Sequence, residues 1–181
     1  MVKSHLQKVK KIAIIGPECT GKSELSEYLS TYFNTCWVAE YARAYLDNLN
    51  TPYVESDLVK IAHGQIRLED ESMTEANQVL ICDTNLLVIK IWSNFKYGHC
   101  NEEILQLIRE RTYDLHLLTY IDIPWQEDPQ REHPKEREAL WKIYKEELEL
   151  QNTPYMEIKG EREERRSIAV NAIERLLKGN E

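Results

Sequence analysis

The chain has 181 residues, a formal net charge of −8 and 42% hydrophobic residues. The length fits a single domain with a buried core, and the acidic balance argues against a general binder of nucleic acid backbones. No apolar run reaches the roughly 18 residues that a membrane span requires, residues 1–11 lack the apolar stretch of a signal peptide, and the four cysteines fall at no metal-ligand spacing. We therefore expect one cytoplasmic domain over residues 1–181, with no nucleic acid or membrane partner.

Short apolar runs alternate with helical patterns after an N-terminal extension over residues 1–10. Strands are predicted at residues 12–15, 37–39, 79–82, 115–118 and 155–158. Helices are predicted at residues 22–33, 55–76, 84–92, 102–111, 138–150 and 162–177. This alternation predicts a three-layer α/β/α fold around a five-stranded parallel sheet. Residues 123–137 contain three prolines among charged residues, which excludes an ordinary helix and predicts a mobile lid.

The first strand is followed by a glycine-rich loop. Residues 16–23, GPECTGKS, match G-x-x-x-x-G-K-[ST] at every required position, with a strand before and a helix after. In such a P-loop the backbone amides bind phosphate oxygens, the lysine neutralises the outer phosphates and the hydroxyl ligates Mg²⁺. A glycine turn that matches by chance is the alternative, which the flanking elements disfavour. We predict a P-loop NTPase fold that binds ATP and Mg²⁺ through Gly16, Glu18, Cys19, Thr20, Gly21, Lys22, Ser23 and position 24.

Cys19 has two interpretations within this loop: a reactive thiol, or a spectator side chain that faces away from the phosphates. The second is favoured.

Two carboxylates follow the second and third predicted strands. Asp83 is the first choice for the group near the reacting hydroxyl and Mg²⁺, the alternative being a cap on the helix that begins at Thr84. Glu40 would bind a substrate hydroxyl or act as the base itself. Arg43 would contact substrate or pair with Glu40.

Arg131 and Arg137 of the lid would cover the phosphates and exclude water, since a guanidinium binds phosphate oxygens in pairs. The alternative is that both are solvated and pair with the neighbouring lid carboxylates.

Several segments resemble the ribosylnicotinamide kinase domain of NadR-type NAD-biosynthesis proteins. They are GPECTGKS, VAEYAR, the pair Gly64-Gln65, ICDTN, VIKIWSNFKYG, YDLHLL, the D-I-P-W-x-x-D-P-x-R lid and IKG, and they cover the chain from about Lys11 onward. The resemblance implies a kinase that moves the γ-phosphate of ATP onto the ribose 5′-hydroxyl of nicotinamide riboside. Lys22, Glu40, Asp83 and Arg131 are the predicted catalytic residues.

The nicotinamide ring of such a substrate is a flat cation that aromatic faces attract. Trp92, Tyr97 and Trp125 are candidate faces, each with core packing as the alternative, and Trp92 is preferred because it belongs to the WSNFKYG segment. Tyr41 and Tyr45 are expected in the core. By analogy, the loop over residues 159–161 would contact adenine.

Bifunctional members of this family carry an adenylyltransferase domain with an H-x-G-H signature, which the five histidines of this chain never form. We expect a stand-alone kinase without that domain or a DNA-binding part. The alternatives are a P-loop kinase for another nucleoside or small alcohol, and a non-enzymatic nucleotide-dependent sensor.

Overall fold

The computed structural model of the chain describes residues 8–179 and contains five strands in one parallel sheet. They are β1 (Lys10–Ile15), β2 (Trp37–Val38), β3 (Val79–Asp83), β4 (Leu115–Thr119) and β5 (Tyr155–Ile158). Their order across the sheet is β2-β3-β1-β4-β5, which confirms the predicted α/β fold and its strand count. Residues 1–7 of the predicted N-terminal extension lie outside the described residues, and β1 begins at position 10.

Helices cover both faces of this sheet. They are α1 (Lys22–Tyr32), α2 (Tyr41–Asp47), α3 (Glu55–Met73), α4 (Leu86–Tyr97), α5 (Glu102–Glu110), α6 (Arg137–Leu150) and α7 (Arg162–Lys178). Within residues 8–179, none of these helices combines the length and apolar character that crossing a membrane requires.

The alternation of side chains along β1 divides the core in two. Ile12 and Ile14 point to the face covered by α1 and α7, whereas Ala13 and Ile15 point to the face covered by α4 and α6. All four are fully buried. A strand that is apolar on both faces requires a layer on each side, and this requirement produces the three-layer arrangement.

The strand register brings the functional segments to one edge of the sheet. Ile14, near the end of β1, lies opposite Asp83 of β3 and Leu117 of β4. The loop that leaves β1 at Gly16 therefore begins beside Asp83. In open parallel sheets, ligands bind at this carboxyl edge.

The sequence pattern does not predict the short helix α2 (Tyr41–Asp47). Its first amide, that of Tyr41, donates to Oε1 of Gln65 at 2.9 Å. The Tyr41 ring rests on Gly64 of α3, where a Cβ would lie 2.0 Å from the ring. The Gly64-Gln65 pair thus provides both the space and the acceptor that hold α2 against α3.

Helix α4 extends five residues beyond the predicted end and stops at Gly98, which has the left-handed φ of 78° that favours glycine. At its other end, Oδ1 of Asn85 accepts the amide of Leu87 at 3.0 Å. Asn85 is therefore the cap of this helix, and the alternative that Asp83 serves as a helix cap is wrong.

The predicted lid forms neither helix nor strand up to position 136. Arg137, assigned to the lid from sequence, instead begins α6 and is only 9% exposed. The lid packs against distant segments, for Asp128 pairs with Arg43 at 3.0 Å and Gln130 bonds to Asp47. Its mobility stays a prediction.

Candidate active site

The loop over residues 16–23 joins β1 to α1, and its backbone path depends on two glycines. Gly16 has a φ of 141° and Gly21 a φ of 77°, both in the range that side chains disfavour. A Cβ on Gly16 would lie 2.5 Å from Oγ1 of Thr119, and one on Gly21 would lie 2.8 Å from Cδ1 of Ile123. Glycine is therefore required at both positions for the loop to pack against its neighbours.

Thr20 fixes the shape of the loop from inside. Its buried hydroxyl donates to the Pro17 carbonyl at 2.8 Å and lies 2.7 Å from Oγ1 of Thr119. Since the side chain is used internally, the predicted phosphate contact of Thr20 would come from its backbone.

Lys22 and Ser23 occupy the first turn of α1. The Lys22 ammonium donates to the carbonyls of Gly16 at 3.1 Å and Pro17 at 2.8 Å, which places its charge at the loop. The Ser23 hydroxyl donates to Oδ2 of Asp83 at 2.5 Å. The loop is thereby joined directly to the end of β3.

Asp83 is nearly fully buried, and its second carboxylate oxygen, Oδ1, has no hydrogen-bond partner within the described part of the chain. Burial raises the pKa of Asp83, an effect that the Lys22 charge and the Ser23 hydrogen bond oppose. A buried oxygen without a partner is costly, so this atom is suited to a ligand or a cation.

Glu40 precedes α2, and its carboxyl group interacts electrostatically with Lys22 and Asp83. Burial raises the pKa of Glu40, Lys22 and Arg43 oppose that shift, and the negative charges of Asp83 and Glu18 add to it. The two carboxylates and the lysine that the sequence assigned to catalysis are therefore brought together.

A cavity of about 310 Å³ is lined by Lys22 and Glu40, whereas Asp83 lies behind its lining and is connected to it through Ser23. Its lining includes residues 16–24, together with Glu40, Arg43 and Arg131. It also includes a largely apolar and aromatic set, here called the aromatic wall: Ala42, Leu46, Val88, Ile91, Trp92, Phe95, His133, Leu140 and Tyr144. The cavity thus joins a phosphate-binding loop to an aromatic wall.

Position 24, predicted to bind the nucleotide, is Glu24. Although it lines the cavity, its carboxylate pairs with the guanidinium groups of Arg162 and Arg166 of α7. A contribution to nucleotide binding from this position would come from its backbone.

Glu18 and Cys19 of the P-loop contact the lid. Amides of Glu132 and His133 donate to the Glu18 carboxylate at 3.1 and 3.0 Å. The Cys19 sulfur accepts the amide of Gln126 at 3.3 Å, and its thiol donates to the Pro124 carbonyl at 3.4 Å. Cys19 therefore joins the loop to the lid.

The two predicted lid arginines have different positions. Arg131 lines the cavity and donates to the Gln126 carbonyl within the lid. Arg137 donates to the carbonyls of Cys19 and Ile123, both at 2.9 Å, and so holds the P-loop against Ile123. The role of Arg137 over the phosphates is not supported by this buried position.

Of the three candidate ring faces, only Trp92 lines the cavity. Tyr97 packs in the cluster between α3, α4 and α5, as Tyr41 and Tyr45 do, which agrees with the core role expected of the latter two. Trp125 lies in the lid with the guanidinium groups of Arg131 and Arg137 5.9 and 5.8 Å from its ring centre.

Sequence reasoning missed Arg165, which is 5% exposed. Its guanidinium donates to the Thr20 carbonyl and to Asp122, and Oδ2 of Asp122 accepts the amide of Gly160 at 2.5 Å. Tyr120, Asp122, Lys159 and Gly160 line a second, more open cavity beside the P-loop. This is the region that the sequence predicted for adenine. For Arg165, the only signal in the sequence was the run of charges at the start of α7.

Curated relatives support the resemblance to NadR-type proteins. The chain is 30% identical over 159 residues to the trifunctional NAD biosynthesis/regulator protein NadR of Salmonella typhimurium, and 30% identical over 161 residues to that of Escherichia coli. These matches cover 83% and 84% of this chain but only 38% and 39% of the relatives.

Solved structures give the same fold. A crystal structure of NadR protein in complex with NAD and AMP-PNP has a TM-score of 0.76 at 20% identity, covering 96% of this chain and 51% of that chain. A thymidylate kinase from Candida albicans has a TM-score of 0.68 at 14% identity, with 92% of each chain covered. At these identities the likeness supports the fold.

The AAA domain family matches residues 11–165. This match includes the P-loop, both carboxylates and the whole lid, and it spans most of the sequence. The chain therefore belongs to the AAA domain family.

Proposed function

We propose that this chain is an ATP-dependent kinase that phosphorylates the ribose 5′-hydroxyl of nicotinamide riboside, giving nicotinamide mononucleotide for NAD biosynthesis in the cytoplasm. The observation that carries this proposal is that one cavity is lined by the P-loop, by Glu40 and by the aromatic wall that includes Trp92. A nucleoside held against that wall would present its hydroxyl to a triphosphate held by the loop. The similarity to NadR proteins, and to a NadR structure in complex with NR, favours nicotinamide riboside as the nucleoside.

The acidic and basic groups suit phosphoryl transfer. Loop amides and Lys22 would bind the β- and γ-phosphates, and Arg131 would neutralise the transferred group. Glu40 or Asp83 would accept the hydroxyl proton as the bond from O5′ to the γ-phosphorus forms and the bond from that phosphorus to the bridging oxygen breaks. Nicotinamide mononucleotide and ADP would then be released, with the proton left on the carboxylate.

The donor set fits Mg²⁺, which favours hard oxygen ligands and retains several waters. The Ser23 hydroxyl and the unpartnered Oδ1 of Asp83 are the residues that would hold it. When bound, Mg²⁺ would neutralise phosphate charge during transfer. Among the described residues no cluster of three or more His, Cys, Asp or Glu is placed to hold a metal ion.

An acceptor scan tests this proposal. Purified protein with ATP and Mg²⁺ is incubated separately with nicotinamide riboside, adenosine, cytidine, uridine and thymidine, and phosphorylated products are measured by mass spectrometry. We expect the highest kcat/KM with nicotinamide riboside. Turnover of another nucleoside with none of nicotinamide riboside would replace the substrate, and ATP binding without transfer to any acceptor would favour the nucleotide-dependent sensor.

A further inference from the structure

The Tyr53 hydroxyl, in the loop between α2 and α3, is hydrogen-bonded to three side chains. Nε1 of Trp92 donates to it at 2.8 Å and Nζ of Lys96 donates at 2.5 Å. The hydroxyl donates in turn to Oε2 of Glu132 in the lid at 3.1 Å. A phenol has one proton and two acceptor positions, so its hydrogen-bonding capacity is fully used.

The same tyrosine also orients the Trp92 indole through its ring. The two rings meet edge to face with centres 4.9 Å apart, and the Lys96 ammonium lies 3.8 Å from the centre of the Tyr53 ring. The indole, which lines the cavity, is therefore held both by its N–H group and by its ring contact with Tyr53.

From Glu132 the contacts continue to the P-loop. The Glu132 carboxylate also pairs with Lys96 at 3.2 Å, and its amide and that of His133 donate to the Glu18 carboxylate. A continuous chain of contacts thus joins the aromatic wall to the phosphate-binding loop through one lid residue. Burial and the nearby Glu132 charge raise the pKa of Tyr53, so its hydroxyl stays a donor to the lid at neutral pH.

We propose that Tyr53 is a positioning residue that couples acceptor binding at Trp92 to closure of the lid at Glu132. This inference rests on the proposed kinase function. An acceptor ring that orders the indole would strengthen the Tyr53 contact with the lid, and the closed lid would exclude water from the γ-phosphate. Without that link, the lid would close less completely and ATP would be lost to water.

Tyr53→Phe tests the link because it removes the hydroxyl and keeps the ring. We expect the KM for the nucleoside to rise by about tenfold, since the partly buried hydroxyl that joins Trp92, Lys96 and Glu132 is lost. Hydrolysis of ATP per transferred phosphate should rise by a similar factor, while the KM for ATP changes by less than about twofold. Tyr32→Phe is the matched control, since Tyr32 is exposed and its hydroxyl contacts Glu174, away from the cavity.

A double-mutant cycle with Glu132→Ala separates coupling from local packing. If Tyr53 acts through Glu132, the double variant should hydrolyse ATP no more than the worse single variant. Additive effects, or a Tyr53→Phe variant with unchanged nucleoside KM and unchanged hydrolysis, would overturn the proposal.

Amide hydrogen exchange provides a readout that does not depend on the substrate. In Tyr53→Phe the amides of Glu132 and His133 should exchange about fivefold faster than in the parent chain, while those of β1 stay unchanged. Unchanged exchange at both lid amides would overturn the inference. A parent chain that phosphorylates no nucleoside would overturn the proposed function instead, so the two failures are distinguishable.

Discussion

The Ser23 hydroxyl donates to Asp83 across 2.5 Å, joining the first turn of α1 to the last residue of β3. This hydrogen bond lies where the P-loop meets the neighbouring strand, and it leaves the other Asp83 oxygen without a partner among the described residues. The pair therefore marks the point at which phosphate and cation binding would meet the reacting hydroxyl.

Asp83→Asn should reduce kcat by about 100-fold or more. The amide cannot accept the hydroxyl proton, and it binds Mg²⁺ more weakly than a carboxylate does. The dissociation constant for ATP should change far less, since the loop amides and Lys22 remain. Steady-state kinetics and calorimetry measure the two quantities. Glu103→Gln is the control, because Glu103 pairs with His63 on the surface. A kcat for Asp83→Asn close to that of the control would remove Asp83 from the chemistry.

Trp92→Ala should weaken binding of a cationic acceptor more than that of a neutral one. The attraction between an aromatic face and a cation is about 0.5–2 kcal/mol, which predicts an additional rise in KM of about 2- to 30-fold for nicotinamide riboside. Its reduced form, which has an uncharged ring of similar shape, is the comparison acceptor. Equal rises in KM for both acceptors would assign Trp92 to packing alone.

Gly64→Ala should destabilise the protein, although the same change in an open helix is stabilising by about 1 kcal/mol. The new methyl group would lie 2.0 Å from the Tyr41 ring, so α2 must shift, at a cost of about 2 kcal/mol. Urea unfolding measures the loss, and Tyr41→Ala in the same chain should restore part of it. A Gly64→Ala variant as stable as the parent chain would show that α2 does not depend on this contact.

Local sequence predicts some features of this fold and site but not others. The strands, the P-loop and the irregular lid follow from apolar runs, glycine spacing and prolines, all of which are local signals. Helix α2 depends on Gly64 and Gln65 from a distant helix, so its seven residues carry little signal of their own. Arg137 and Arg165 stand in highly charged segments that resemble solvated surface, yet both are buried because carbonyl groups of the P-loop accept their hydrogen bonds.

His116 should make stability depend on pH. Burial lowers its pKa from 6.5 to about 4, and Nε2 of its ring lies 3.1 Å from the Asn85 amide. Between these two values the unfolded chain binds a proton that the folded chain does not, so the free energy of unfolding falls as the pH decreases. The full effect is about 3 kcal/mol.

Urea unfolding of the parent chain and of His116→Gln at pH 7, 5.5 and 4.5 measures this contribution. As the pH falls through this window, the unfolding free energy of the parent chain should decrease relative to that of His116→Gln. A difference that is constant across the three pH values would contradict the assigned pKa.

The proposed kinase activity requires the loop around Lys22 to hold ATP and to deliver its terminal phosphoryl group to nicotinamide riboside. Its most direct test is transfer of label from γ-³²P ATP to the nucleoside, in the parent chain and in Lys22→Ala. We predict labelled nicotinamide mononucleotide with the parent chain and a loss of several orders of magnitude with a variant that remains folded. Label found only in inorganic phosphate, or equal transfer by the two proteins, would overturn the proposed activity.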